Sequence, residues 1–221
     1  MWTAMNRGKD RERERPFIAL VVILLGLGFG IISAHYSRNG SDFYNSEGIL
    51  WPSPPKLNEF FLTDENNNPF TLADLKERWS IVFFGFSHCP DICPSTLTAM
   101  SKAETKLRSI PEFGDSGLLL FVSVDPNRDT TKILKKYISV FSPSMKAATG
   151  SEKELQILAK SMGAIFIKVG NTPNEYSVDH SAGLFFISPE GHLFTVLTPP
   201  ILDLDIVERF TNAIDVHRKV L

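Results

Sequence analysis

An unbroken apolar stretch, Ile81 to Phe86, runs into Ser87-His88-Cys89-Pro90-Asp91-Ile92-Cys93-Pro94 and then into a long amphipathic segment ending near Ser109. β-Branched and aromatic residues that pass a glycine, meet Cys-Pro and then take up a helical period form the pattern of strand, tight turn and helix start. The same alternation continues along the chain. Strands are predicted at Leu118 to Val124, Lys146 to Ala148, Ala164 to Lys168, Gly183 to Ser188 and His192 to Leu197. Helices are predicted at Ala73 to Trp79, Pro94 to Ser109, Thr131 to Phe141, Glu152 to Met162 and Asp203 to Val220, the fourth opened by a Ser151/Glu154 capping box. Phe60 to Thr63 and Pro69 to Leu72 flank the turn-rich Asp64 to Asn68 and read as a hairpin ahead of this series. Alternating strands and helices call for a central mixed sheet covered on both faces, and a closing hairpin plus helix fits the thioredoxin pattern. The phenylalanines at 83, 84, 86, 121, 185 and 186 are core by their strand positions.

Cys89 and Cys93 are the only cysteines in 221 residues, and they fall at the carboxyl end of the first of these strands. Sites in open α/β sheets gather at that end. Residues four apart share a helix face, so both sulfurs point the same way. Unpaired N–H groups at the helix start favour thiolate over thiol. A four-residue loop adds little chain entropy to the unfolded state, so a merely stabilising disulfide is poorly motivated. Two converging thiolates can close a disulfide or hold a soft metal. Three residues intervene here, whereas disulfide exchange on such a scaffold usually uses two.

A third ligand would decide for metal. His180, in Tyr176-Ser177-Val178-Asp179-His180-Ser181-Ala182-Gly183, precedes another buried strand. Two thiolates and an imidazole form a soft, low-coordinate set suited to Cu(I), while zinc normally takes a fourth ligand. A histidine at such a place is more often an ordinary core or surface residue, and the residues alone leave its role open. Asp179 either orients the imidazole or turns to water. His88 is either a transient or Cu(II) ligand or a side chain that diverges from Cys89 where a helix starts, and Asp91 suits the first turn as an acid and also suits a contact for a copper donor. Pro90 and Pro94 stiffen the loop. Asp125-Pro126-Asn127-Arg128-Asp129 reads as a strand exit with local Asp–Arg pairing or a partner-facing loop. His192 and His217 receive no role.

Three blocks, GFSHCPDICPSTL, SVDPNRDT at Ser123 to Thr130 and YSVDHSAG at Tyr176 to Gly183, resemble the signatures of the Sco/SenC family in order and separation, over a likeness running from about Phe60 to the C-terminus. The resemblance implies a membrane-anchored, thioredoxin-like copper protein serving assembly of the CuA centre of cytochrome c oxidase. It implies Cys89, Cys93 and His180 as ligands of Cu(I) and leaves open whether Cu(II) is also held. The implied partners are the CuA subunit, a copper donor and a thiol reductant. The other use of the same dithiol is reduction of the acceptor's cysteines, with Cys89 and Cys93 as the redox pair.

The N-terminus supports an anchored protein. Residues 1–16 carry Arg7, Lys9, Arg11, Arg13 and Arg15 against Asp10, Glu12 and Glu14, and Phe17 to Ala34 then holds no charge. Those eighteen residues span roughly 27 Å as a helix, close to the ~30 Å hydrocarbon core once border residues are added. The expected anchor is 17–36, uncut because the apolar stretch is long and Ile31 to His35 is a poor cleavage site. The basic bias places the N-terminus in the cytoplasm. Interleaved acids argue against a mitochondrial presequence, which leaves a bacterial inner membrane with a periplasmic domain. Residues 37–58 read as a proline-rich tether and 59–221 as one domain. Without the N-terminal charges, 18 basic and 22 acidic residues remain, which offers no basic stripe for nucleic acid. An exported pair of thiols drifts to disulfide unless it is reduced or metal-bound.

Overall fold

The computed structural model describes residues 54–170 and 176–220, together with 24, 26, 28, 49 and 50. The chain divides into two compact units, Met1–Asn45 and Ser46–Leu221. In the first, Leu24, Gly26 and Gly28 are helical. The rest of the expected anchor lies outside the described residues, among which no helix is long and apolar enough to cross a membrane.

The second unit contains, in chain order, β1 (Ile49–Leu50), β2 (Phe61–Asp64), β3 (Pro69–Thr71), β4 (Ser80–Gly85), α1 (Ile92–Arg108), β5 (Leu118–Ser123), α2 (Thr131–Ile138), β6 (Lys146–Thr149), α3 (Glu152–Ser161), β7 (Phe166–Val169), β8 (Ser177–His180), β9 (Leu184–Ile187), β10 (Leu193–Leu197) and α4 (Asp203–Val220). Eight strands form one mixed sheet in the order β1-β10-β9-β4-β5-β6-β2-β3, flanked by helices, and β7-β8 form a separate two-stranded sheet. β4 pairs in parallel with β5 and antiparallel with β9. Every residue of β4, β5 and β9 is buried, which is why these runs read as continuously apolar rather than alternating. The six expected core phenylalanines are all buried, and Phe83–Phe121 and Phe84–Phe185 pack as ring pairs with centroids 6.1 and 5.5 Å apart.

Several local expectations change. The predicted helix Ala73 to Trp79 is a single 3₁₀ turn, Leu72–Leu75, whose start is tied by the Thr71 N–H donating to Asp74 Oδ2 at 2.7 Å. It cannot continue because Glu77 takes a left-handed φ of 62°. The stretch Ser177–His180, which the sequence did not mark as a strand, pairs antiparallel with β7 in the register Phe166↔His180. The end of the proposed tether packs on the domain: Ile49 and Leu50 pair with Val196 and Thr195, Lys56 bridges His192, and Leu57 is buried. This covers β10, which would otherwise present an open sheet edge.

The sheet register brings the two ends of the chain's motif chemistry together. In the antiparallel β4–β9 pair Phe83 faces Leu184 and Ser80 faces Ile187, so the segment entering β9 passes the carboxyl end of β4. Gly85 and the cysteine turn leave from that end. His180 lies just ahead of β9 and therefore arrives beside them.

Candidate metal centre

The turn after β4 closes with the Cys89 N–H donating to the Phe86 carbonyl at 3.2 Å, and α1 begins at Ile92 with Asp91 as its N-cap. Cys93 is thus the second residue of the helix, and its otherwise unpaired N–H donates to Cys89 Sγ at 3.4 Å. Pro94, in the same first turn, withholds an N–H that the helix would not have used. Gly85 makes room for the second thiol: a Cβ there would lie 2.7 Å from Phe121 Cε2 and 2.9 Å from Cys93 Sγ. Cys89 is 9% exposed and Cys93 fully buried, with neither in a disulfide.

His180 completes the cluster. Its Nε2 stands 3.5 Å from Cys93 Sγ, and its Nδ1 meets the Ser181 carbonyl at 3.1 Å. A carbonyl can only accept, so Nδ1 carries the proton and Nε2 turns its lone pair toward the sulfurs. The edges of Phe83 and Phe86 flank the imidazole at centroid distances of 6.0 and 5.9 Å. Burial lowers its pKa, against weaker opposing effects of the Ser181 carbonyl and Asp179, which favours the neutral, ligating form. The three donor atoms lie within 4.8 Å of one another, the one such cluster among the described residues. A trigonal set with bonds of ~2.0–2.3 Å places its donors roughly 3.5–4 Å apart, so closure of at most about 1.3 Å is required.

One electrostatic expectation is corrected. Burial pushes the Cys93 thiol well above the usual thiol range, and the neighbouring Cys89 and the charge of Asp129 act in the same direction. A helix terminus contributes at most ~2 kcal/mol, which the loss of hydration outweighs. Metal-free Cys93 is therefore a neutral thiol, its sulfur 3.5 Å from the free lone pair of His180.

The other residues singled out in the sequence stand apart from this cluster. His88 is 54% exposed and turns its Nδ1 to Ser87 Oγ at 3.0 Å and Asp129 Oδ1 at 3.8 Å. Asp91 is exposed, and its carbonyl rather than its carboxylate serves the helix start by accepting from Ser95 N at 3.2 Å. Asp179 is exposed on the strand face opposite Val178 and His180 and so turns to water. His192 acts through its backbone, bridging Lys56 and accepting from the Ser188 N–H at 2.9 Å, and His217 is held by Glu190 at 3.1 Å against the Trp79 ring.

Sequence reasoning undervalued the segment 125–129. Asp125 and Asp129 are both fully buried. Asp129 Oδ2 accepts from the Ser87 N–H at 2.8 Å and from Ser123 Oγ at 2.5 Å, while its Oδ1 accepts from Ser87 Oγ. Asp125 accepts from Arg128 Nε and, at 2.5 Å, from the Tyr176 hydroxyl. The expected local Asp–Arg pairing is present, and the Tyr176 hydroxyl joins it from a distant segment at a fully buried Asp125. The SVDPNRDT likeness was the available signal; a polar strand exit conceals which of its carboxylates turn inward.

Comparisons with known proteins agree with this geometry. The SCO1/SenC family model matches residues 52–215. The chain is 37% identical over 188 residues to a Stutzerimonas stutzeri protein provisionally named copper-binding, covering 85% of this chain and 90% of that one. It is 40% identical over 144 residues to mitochondrial SCO2 of Saccharomyces cerevisiae, covering 62% of this chain but only 46% of that longer relative. The crystal structure of yeast Sco1 with copper bound superposes with a TM-score of 0.67 at 33% identity, covering 73% of this chain and 90% of that one.

Proposed function

This chain belongs to the SCO1/SenC family, and from that membership and its three-donor cluster we propose that it is a Cu(I) metallochaperone serving the CuA site of cytochrome c oxidase. Copper is its cargo. The observation that carries the reading is the convergence of Cys89 Sγ, Cys93 Sγ and His180 Nε2 within 4.8 Å, with no fourth such donor joining them among the described residues. A set of two sulfurs and one nitrogen suits Cu(I) and leaves zinc short of its usual tetrahedron. The solved relative described with copper bound shares this fold.

In this reading, loading exchanges the two thiol protons for one Cu(I), and the protons leave to solvent. The neutral imidazole stays in place because Ser181 holds its Nδ1–H. Delivery proceeds by ligand exchange, an acceptor thiolate displacing one donor at a time, with no bond-making catalysis. The uncharged Phe17 to Ala34 segment anchors the protein in a bacterial inner membrane, with the domain in the periplasm. A thiol reductant then keeps the pair open for copper. A reductase role for the pair alone is less well supported, because a reactive thiol wants a low pKa and exposure, and Cys93 has neither.

The test is titration of the reduced, purified full-length chain with Cu(I) in competition with a chromophoric chelator. One equivalent is expected. His180→Ala should weaken binding by about tenfold or more, as loss of a metal's supporting group does, with an unchanged far-UV circular dichroism spectrum. Unaltered affinity would remove His180 from the site. In cells, oxidase activity lost on deletion should return with the wild-type chain and not with His180→Ala. Full rescue by His180→Ala would favour the reductase.

A further inference from the structure

His180 sits on the β7–β8 hairpin, which among the described residues shares no strand pairing with the main sheet. A two-stranded ribbon is marginal by itself, so something else must fix where the imidazole stands. Within the hairpin, Ser181 N donates to the Ile165 carbonyl at 2.9 Å, and Ile165 N donates to Ser181 Oγ at 3.1 Å. Those bonds tie the ribbon to itself. Lys168 of β7 pairs with exposed Glu152 of α3 at 3.3 Å, and the buried polar link on the β8 side runs through Tyr176, immediately ahead of that strand. Arg128 Nη1 donates to the Tyr176 carbonyl at 3.0 Å, and the guanidinium carbon lies 3.9 Å from the centre of the Tyr176 ring. The same guanidinium donates through Nε to buried Asp125, which also takes the Tyr176 hydroxyl. It stands 5.7 Å from the centre of Phe86, whose ring meets the His180 imidazole edge-on.

The far end of the same five-residue segment holds the other half of the centre. Asp129 accepts the Ser87 N–H and hydroxyl, two residues ahead of Cys89. One short loop thus grips the cysteine turn with Asp129 and the histidine hairpin with Asp125 and Arg128. Only a planar guanidinium can bond a carboxylate from one edge, a carbonyl from another and stack on a ring with its face.

We propose that Arg128 is a positioning residue for the metal centre, fastening the hairpin so that His180 faces the two sulfurs before copper arrives. Arg128 touches no copper. The inference rests on the copper reading for its functional consequence, but the fastening itself is a property of the metal-free protein.

The experiment is a double-substitution cycle on the full-length reduced chain, with Cu(I) competition as one readout and deuterium exchange of the metal-free protein as the other. Arg128→Gln should weaken Cu(I) binding by about tenfold, in the range seen for residues that support metal ligands. In a His180→Ala background the same change should have less than about a twofold effect, because no histidine remains to be positioned. Metal-free Arg128→Gln should exchange amides of 177–180 at least about fivefold faster, with those of 80–85 unchanged. Where Arg128→Gln fails to fold, Arg128→Lys serves in the same cycle: it keeps the charge beside Asp125 but loses the second donor edge. Equal losses with and without His180, or unaltered exchange in β8, would overturn the proposal. Should the wild-type chain bind no Cu(I), the copper reading falls separately, and the exchange data still decide whether Arg128 holds the hairpin.

Discussion

Gly85→Ala probes how tightly the fold shapes its sulfur site. The methyl group would stand 2.7 Å from Phe121 Cε2, 2.9 Å from Cys93 Sγ and 3.3 Å from Phe83 Cε1. Relaxed contacts are ~3.5–4.0 Å, so the ring and the sulfur must each retreat by roughly 0.6 Å or more. Neither has free space, since Phe121 and Cys93 are fully buried and Phe121 is wedged between Phe83 and Tyr137 at 6.1 and 5.6 Å. Overpacking of this kind costs about 1–3 kcal/mol. With a urea m-value of ~2 kcal/mol/M the unfolding midpoint should fall by about 0.5–1.5 M. A sulfur displaced by more than ~0.5 Å also leaves productive ligand geometry, so Cu(I) affinity should drop by about tenfold. Gly114→Ala separates the two effects. Gly114 has φ +47°, lies beyond the far end of α1 from Cys93, and should lose about 1 kcal/mol from backbone strain with no change in copper affinity. Wild-type urea midpoint and wild-type copper affinity in Gly85→Ala would refute the reasoning. A stability loss without an affinity loss would show that Phe121 alone yields.

Two further outcomes follow from the buried groups. Asp129→Ala strands the Ser87 N–H and the Ser123 hydroxyl without their acceptor, so stability should fall by about 2 kcal/mol and the melting temperature by about 4–8 °C; an unshifted thermal melt would show that water replaces the carboxylate. Because burial raises the Cys93 pKa in the folded state, the unfolded chain releases its thiol proton first as pH rises. Metal-free stability is therefore intact below pH ~8.5 and should decline above it by up to ~1.4 kcal/mol per pH unit, a slope that Cys93→Ser should remove in urea titrations between pH 8 and 10.

Most elements of the domain were visible in the sequence because their burial is complete. β4, β5 and β9 are covered on both faces, so apolar runs without alternation marked them, and the Ser151 cap marked the start of α3. The 3₁₀ turn at Leu72–Leu75 was misread as a helix because its end depends on a left-handed backbone at Glu77, a residue type that carries no such signal. β8 escaped because four residues with one buried apolar side chain, Val178, are too short a period to stand out. The cysteine pair was legible from spacing, and His180 from its resemblance to a known block.

The residues alone determined the soft donors, the α/β alternation and the position of the cysteines at a strand's carboxyl end, since these follow from side-chain chemistry and periodicities a few residues long. Tertiary structure decided the rest. Only the antiparallel register of β4 and β9 brings His180 beside sulfurs 87 and 91 residues away, burial raises the Cys93 thiol pKa against the pull of the helix start, and only the packed fold turns Asp125, Arg128 and Asp129 inward. Register and burial are sums over contacts between distant segments, and no local stretch of sequence contains them.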